Sequence, residues 1–149
     1  MRNLTFLLAD DDLDDTILFE QVLNEVAPSV TLITAKDGRE AIDALTSGSA
    51  SPDLIFLDLN MPKLNGKECL QFIKHTENLH KIPVIIYTTS SLSKDIEDCM
   101  VSGAACFITK PSGVKELTKI ISTIVGSLPG GLEPALRKLS DSVNTFIVI

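Results

Sequence analysis

The sequence predicts an α/β fold, a doubly wound parallel sheet of five strands with helices on both faces, on three observations. Five short apolar runs punctuate the chain: LTFLLA (4–9), VTLITA (30–35), DLIFLD (53–58), PVIIYTT (83–89) and ACFIT (105–109). They are mostly continuous instead of alternating, as in strands covered on both sides. A helical pattern follows each one, and strand–helix alternation implies right-handed crossovers and a parallel sheet.

The first helix is expected to start near Asp14 and to reach about Glu25, ending before Pro28, with Ile17, Leu18, Val22 and Val26 on its inner face. The second begins at Asp37–Gly38, carries Ala41, Ile42 and Leu45, and stops at Gly48. The third follows Asn65–Gly66 and carries Cys69, Leu70, Phe72 and Ile73. The fourth follows SSLSKD, buries Ile96 and Met100 and ends at Gly103. In the fifth, Val114, Leu117, Ile120, Ile121, Ile124 and Val125 fall on one stripe of helical period. The GSLPGG stretch (126–131) should break that helix, which divides the chain into a domain over 1–125 and a short extension over 126–149.

Composition narrows the function. The 149 residues suffice for one domain with its own core. Thirteen basic against 20 acidic side chains give a net charge of −7, which argues against nucleic acid as a partner. No stretch approaches the roughly 18 apolar residues of a membrane span, and the N-terminus reaches acidic residues too soon for a signal peptide. Cys69, Cys99 and Cys106 show no CxxC pairing, so a cytoplasmic, reducing location is expected. His75 and His80 lack metal-ligand spacing and are read as surface.

In open α/β sheets, ligands bind outside the carboxyl ends of the strands. Strand one ends in Asp10 and Asp11, strand three in Asp58, strand four in Thr88 and strand five in Lys110 followed by Pro111. Three carboxylates meeting in a partly dry site need compensation, and a hard divalent cation such as Mg²⁺ supplies it. Lys110 adds positive charge and Thr88 a hydroxyl donor. An aspartate held beside a metal, an ammonium and a hydroxyl is equipped to attack phosphorus, giving an aspartyl phosphate. Asp12, Asp14 and Asp15 have a plainer explanation, because acidic residues in a first helical turn cap it and complement its dipole.

From about residue 4 to residue 125, with these residues in order, the sequence resembles the receiver domains of two-component response regulators, of the stand-alone type. The resemblance implies a flavodoxin-like (βα)5 fold with strand order 2-1-3-4-5. It also implies that Asp10 and Asp11 bind Mg²⁺, that Asp58 in DLIFLDLNMPKLNG is the phosphoacceptor and a further metal ligand, and that Asn60 gives its backbone carbonyl to the metal. Met61, Pro62 and Gly66 match the loop that follows. Thr88 matches the switch hydroxyl, Phe107 the switch aromatic that turns inward on phosphorylation, and Lys110–Pro111 the lysine–proline pair, usually joined by a cis peptide bond. Asp58, Thr88 and Lys110 would carry the phosphoryl chemistry. A sensor histidine kinase or phosphotransfer protein would supply the phosphoryl group, and a downstream protein would read the changed surface. Leu13 departs from the proline of many relatives, and Thr89 is larger than usual, which should alter the lifetime of the acylphosphate.

Other readings fit less well. A haloacid dehalogenase-type phosphatase needs an aspartate two residues after its nucleophile, where this chain has Asn60. A phosphate-binding loop before Lys67 needs glycine at position 61, which is Met61. A receiver-like interaction module that works without phosphorylation would not need the full set of Asp10, Asp11, Asp58, Thr88 and Lys110. The extension places Leu132, Leu136, Leu139 and Val143 at near-helical spacing and closes on TFIVI. That apolar end could pair with a sheet edge of its own chain, of a dimer mate in a homodimer, or of a partner.

Overall fold

The computed structural model describes residues 3–142 and 147–149. Strands β1 (Thr5–Ala9), β2 (Thr31–Ala35), β3 (Leu54–Leu57), β4 (Val84–Thr88) and β5 (Cys106–Thr109) alternate with helices α1 (Leu13–Val26), α2 (Gly38–Thr46), α3 (Gly66–Lys74), α4 (Ser93–Val101) and α5 (Val114–Ser127). A 3₁₀ turn at Leu128–Gly130, helix α6 (Leu132–Ser142) and strand β6 (Ile147–Val148) follow. The sheet order is β2-β1-β3-β4-β5-β6. The first five strands are parallel, as expected, while β6 joins antiparallel with Ile147 opposite Ile108 and Val148 opposite Phe107. The sheet is therefore mixed and six-stranded, and the apolar end of the chain pairs with its own β5. Val143, Thr145 and Phe146 of the expected tail lie outside the described residues.

The unbroken hydrophobicity of the central strands has a direct cause: successive side chains enter different cores. Phe6, Leu8, Phe56, Ile85, Tyr87 and Ile108 face α1, α5 and α6, while Leu7, Ala9, Ile55, Leu57, Ile86 and Phe107 face α2, α3 and α4. Phe19 of α1 stands edge-on to Phe56 and Tyr87, with centroids 5.0 and 5.7 Å apart, and locks the first core. Strand β2 departs from the expectation of double cover, since Thr31 and Thr34 are exposed at the sheet edge.

Helix boundaries follow the local chemistry. Asp12 caps α1 by accepting the Asp15 N–H, and Asp37 caps α2 by accepting the Glu40 N–H. Asn65 and Glu68 form a reciprocal capping box on α3. The buried stripe of α1 is Phe19, Val22 and Leu23; Ile17, expected on the inner face, is 47% exposed because it lies off that stripe. Phe72 and Val114 are likewise exposed, while Cys69, Leu70 and Ile73 fill the buried face of α3. Helix α5 continues through Gly126 and stops at Ser127, because Ile120, Ile121 and Ile124 pack in the core and outweigh the roughly 1 kcal/mol cost of a helical glycine. Helix α6 lays Ala135, Leu136 and Leu139, all buried, against that assembly.

Candidate phosphoryl-acceptor and metal site

The residues singled out at the strand ends do converge. Asp10 follows β1 and accepts the Asp12 N–H at 3.0 Å through Oδ1, which fixes the carboxylate at the mouth of the sheet. Asp58 follows β3; its backbone N–H donates to Ala9 O at 2.9 Å and its Oδ1 accepts the Leu59 N–H at 2.8 Å. Oxygen atoms of Asp10, Asp11 and Asp58 all lie within 4.8 Å of one another, with Asp10 and Asp58 buried and Asp11 exposed. Gly66 is required nearby, because a Cβ there would stand 2.1 Å from the Asp58 carbonyl oxygen. The β3–α3 loop thus presses its backbone against the residue that carries the acceptor carboxylate. Within that loop Lys63 adopts φ 68° and pairs with Asp37 at 3.6 Å.

Lys110 reaches in from the end of β5. Its side chain is 8% exposed, and Nζ stands 2.7 Å from Asp10 Oδ2, 2.7 Å from Asp15 Oδ2 and 3.7 Å from Asp58 Oδ2. Burial opposes its charge, but the close contacts to Asp10 and Asp15, the latter a hydrogen bond, with the charge of Asp58, outweigh it and hold the pKa above the ordinary lysine value. Burial also pushes the Asp10 carboxyl up to about 6, against the opposing pull of Lys110 and the Asp12 N–H. The cluster is therefore short of positive charge, one ammonium facing the carboxylates of Asp10, Asp11, Asp15 and Asp58.

Thr88 ends β4, fully buried, and its Oγ1 has no hydrogen-bond partner among the described residues. A buried hydroxyl left unpaired is costly and points to an acceptor that arrives from outside. Asn60, two residues after Asp58, is exposed and lines a hollow with Leu59, Met61, Asn65, Lys67 and Asp95. Phe107 is fully buried, with Val148 of β6 opposite it. The Lys110–Pro111 peptide bond is trans, unlike the cis bond usual at that position in the resembled family. His75 and His80 are on the surface.

Asp15 is the residue that sequence reasoning missed. Its place in the first helical turn predicts capping and solvation, but Asp12 does the capping and the Asp15 carboxylate pairs with Lys110 instead. The available signal was the surplus of acid over base at the strand ends together with the position of Asp15, one helical turn beyond Asp11.

The donor set suits a hard divalent cation: three carboxylates, two buried and one reachable from solvent, with oxygen ligands alone. A family model described as "Response regulator receiver domain" matches residues 6–122. The chain belongs to that family. It is 35% identical over 123 residues to "Response regulator Rcp1" of Synechocystis sp., covering 79% of this chain and 84% of that protein. It is 32% identical to "Two-component response regulator ARR16" of Arabidopsis thaliana, covering 80% and 79% of the two chains. Among solved structures, the phosphorylated cyanobacterial phytochrome response regulator RcpA superposes with a TM-score of 0.79 at 31% identity, covering 85% of this receiver and 94% of RcpA. The Mn²⁺-bound form of Rcp1 gives 0.76 at 34% identity, covering 87% and 95%.

Proposed function

We propose that this receiver accepts a phosphoryl group on Asp58 in a Mg²⁺-dependent reaction and signals through the resulting change in its surface. The observation that carries this reading is the meeting of a buried carboxylate, Asp58, with two further carboxylates, a buried ammonium and an unpartnered buried hydroxyl at one sheet edge. Asp10, Asp11 and Asp58 would hold the metal, with the Asn60 backbone carbonyl beside them. The metal supplies positive charge that offsets the carboxylates and the phosphoryl oxygens.

The chain's own groups do the rest. The Leu59 N–H orients the Asp58 carboxylate through Oδ1 at 2.8 Å. A carboxylate oxygen of Asp58 forms the new bond to phosphorus as the bond to the donor's leaving atom breaks. Lys110 neutralises charge on the phosphoryl oxygens, and the Thr88 hydroxyl, which has no partner among the described residues, donates a hydrogen bond to one of them. Movement of Thr88 would be felt by Phe107 on the neighbouring strand, and through Phe107 by Val148 of β6. The group accepted stays on the chain, so this reading assigns the receiver no free substrate. A sensor histidine kinase or phosphotransfer protein would be the donor and a further protein the reader, in the cytoplasm, where three free buried cysteines are at home. Residues 1–125 would form the receiver unit and 126–149 an extension whose helix α6 packs against it.

The test is intact-protein mass after incubation with acetyl phosphate, with and without Mg²⁺, beside Asp58→Asn. The expected result is a Mg²⁺-dependent gain of about 80 Da, one phosphoryl group, absent in the variant. No gain under conditions that label a control receiver would leave a phosphorylation-independent interaction module as the better reading.

A further inference from the structure

Lys110 carries three N–H donors and no acceptor, and three carboxylates compete for them. Two contacts are short, 2.7 Å to Asp10 Oδ2 and 2.7 Å to Asp15 Oδ2, while Asp58 Oδ2 at 3.7 Å lies beyond direct hydrogen bonding. The lysine side chain is 8% exposed and that of Asp15 36%, so the ammonium itself is buried while Asp15 reaches it from the solvent side. Asp15 differs from its two rivals. Asp10 and Asp58 belong to the trio suited to a metal, and Asp15 does not. When a cation draws on Asp10 and Asp58, Asp15 keeps its whole charge for the lysine. Its placement is fixed independently, since its backbone N–H is held by the Asp12 side chain at 3.2 Å while its carboxylate reaches across 95 residues of sequence to Lys110.

A carboxylate that attacks phosphorus needs a free lone pair, and the ammonium that meets the phosphoryl oxygens must stand close by without occupying it. We propose that Asp15 is a positioning residue for phosphoryl transfer, holding the Lys110 ammonium off the Asp58 carboxylate and beside the space the phosphoryl group enters. Asp15 forms and breaks no covalent bond; the oxygen of Asp58 bonds to phosphorus while the donor's leaving atom departs with the electron pair. Without the Asp15 charge, the attraction of Asp58 draws Lys110 into hydrogen-bonding distance and ties up the attacking oxygen. This rests on the reading of Asp58 as the acceptor.

The experiment compares the full-length protein with Asp15→Asn and Asp15→Glu in two measurements. The first is the rate of the acetyl phosphate-driven mass gain at saturating Mg²⁺, with Mg²⁺ affinity measured by calorimetry. Displacing a reacting group's neighbour by about an ångström can cost up to a hundredfold, so Asp15→Asn should slow labelling about tenfold. Mg²⁺ affinity should stay within about twofold, and Asp15→Glu, which restores the charge, should recover most of the rate. The second is the NMR signal of the Lys110 ammonium in lysine-labelled protein, which needs no phosphorylation. It should shift in Asp15→Asn and return toward the wild-type position in Asp15→Glu. An unchanged labelling rate in Asp15→Asn, or an unchanged ammonium signal, overturns the proposal. A wild-type protein that takes no label, with the ammonium shift still present, counts against the acceptor reading and leaves the Asp15–Lys110 contact standing.

Discussion

Replacing Asp10 with asparagine should stabilise the metal-free protein. Asp10 is 3% exposed, and its carboxyl is pushed up to about 6 from 3.8 by burial, with Lys110 and the Asp12 N–H only partly offsetting that cost. A rise of about two pKa steps at about 1.4 kcal/mol each means that keeping Asp10 ionised at pH 7.5 costs the fold about 3 kcal/mol. Asparagine has the same shape and can still accept the Asp12 N–H through Oδ1, although its Nδ2 then takes the place of Oδ2 and faces the Lys110 ammonium, donor to donor, so Lys110 must turn toward Asp15. Lys110 keeps Asp15 at 2.7 Å, so no buried ammonium is left alone. Allowing for an amide less well paired than the acid, the gain should be about 1–3 kcal/mol. At roughly 2–4 °C per kcal/mol for a chain of this size, the midpoint should rise by about 2–12 °C. Because the folded-state pKa is raised, the stability that a protonated Asp10 gives the wild type is fully present below about pH 4 and is lost as pH rises through about 6, so the variant's advantage appears only above that range. Wild type in chelator should therefore melt higher at pH 5 than at pH 7.5, while Asp10→Asn should lack that slope. Adding Mg²⁺ should raise the wild-type midpoint and leave the variant nearly unmoved. Thermal melts followed by circular dichroism test this, and a variant that melts at or below wild type in chelator at pH 7.5 would refute the reasoning.

Three further outcomes follow from the packing. Gly66→Ala forces a Cβ to within 2.1 Å of the Asp58 carbonyl oxygen, so denaturation should show a loss of about 1–3 kcal/mol and labelling of Asp58 should slow with it. Leu139→Ala empties a fully buried site where α6 meets the core and should cost about 2–5 kcal/mol in urea unfolding; a loss well below that range would mean α6 does not dock in solution. Burial pushes the thiols of Cys69 and Cys106 up to about 12 and that of Cys99 up to about 11, so none should react with a thiol reagent at pH 8 until the protein is unfolded, as read by absorbance of the released chromophore.

The parts of this molecule written in its sequence are those set by local pattern. Strands β1, β3, β4 and β5 are legible because both their faces are covered, so their runs are dominated by apolar residues and the polar or charged residue that ends each one stands out. Asp10, Asp58, Thr88 and Lys110 are found together for that reason. Strand β2 looks the same in sequence but lies at the edge, since a short apolar run does not reveal how many neighbours it has. On α1, Leu18, Val22 and Val26 do pack on the core as the pattern predicts, but Ile17 points out and Phe19 points in, because the packing of Phe19 against Phe56 and Tyr87 decides between two apolar residues that both fit the helix. The pairing of β6 depends on a free edge at β5, which a strand-prone tail meets as well in its own chain as in another. The role of Asp15 is hidden for the same kind of reason, because its partner lies 95 residues away. An aspartate in a first helical turn already has a sufficient local explanation.

The central claim is that Asp58 itself, and no neighbouring carboxylate, takes the phosphoryl group. The direct measurement is peptide mapping by mass spectrometry after labelling with acetyl phosphate and Mg²⁺ and reduction with borohydride, which converts an aspartyl phosphate to homoserine. The account predicts homoserine at position 58, its loss when Mg²⁺ is chelated, and aspartate retained at 10, 11 and 15. Homoserine at any of those three positions with Asp58 intact would contradict it.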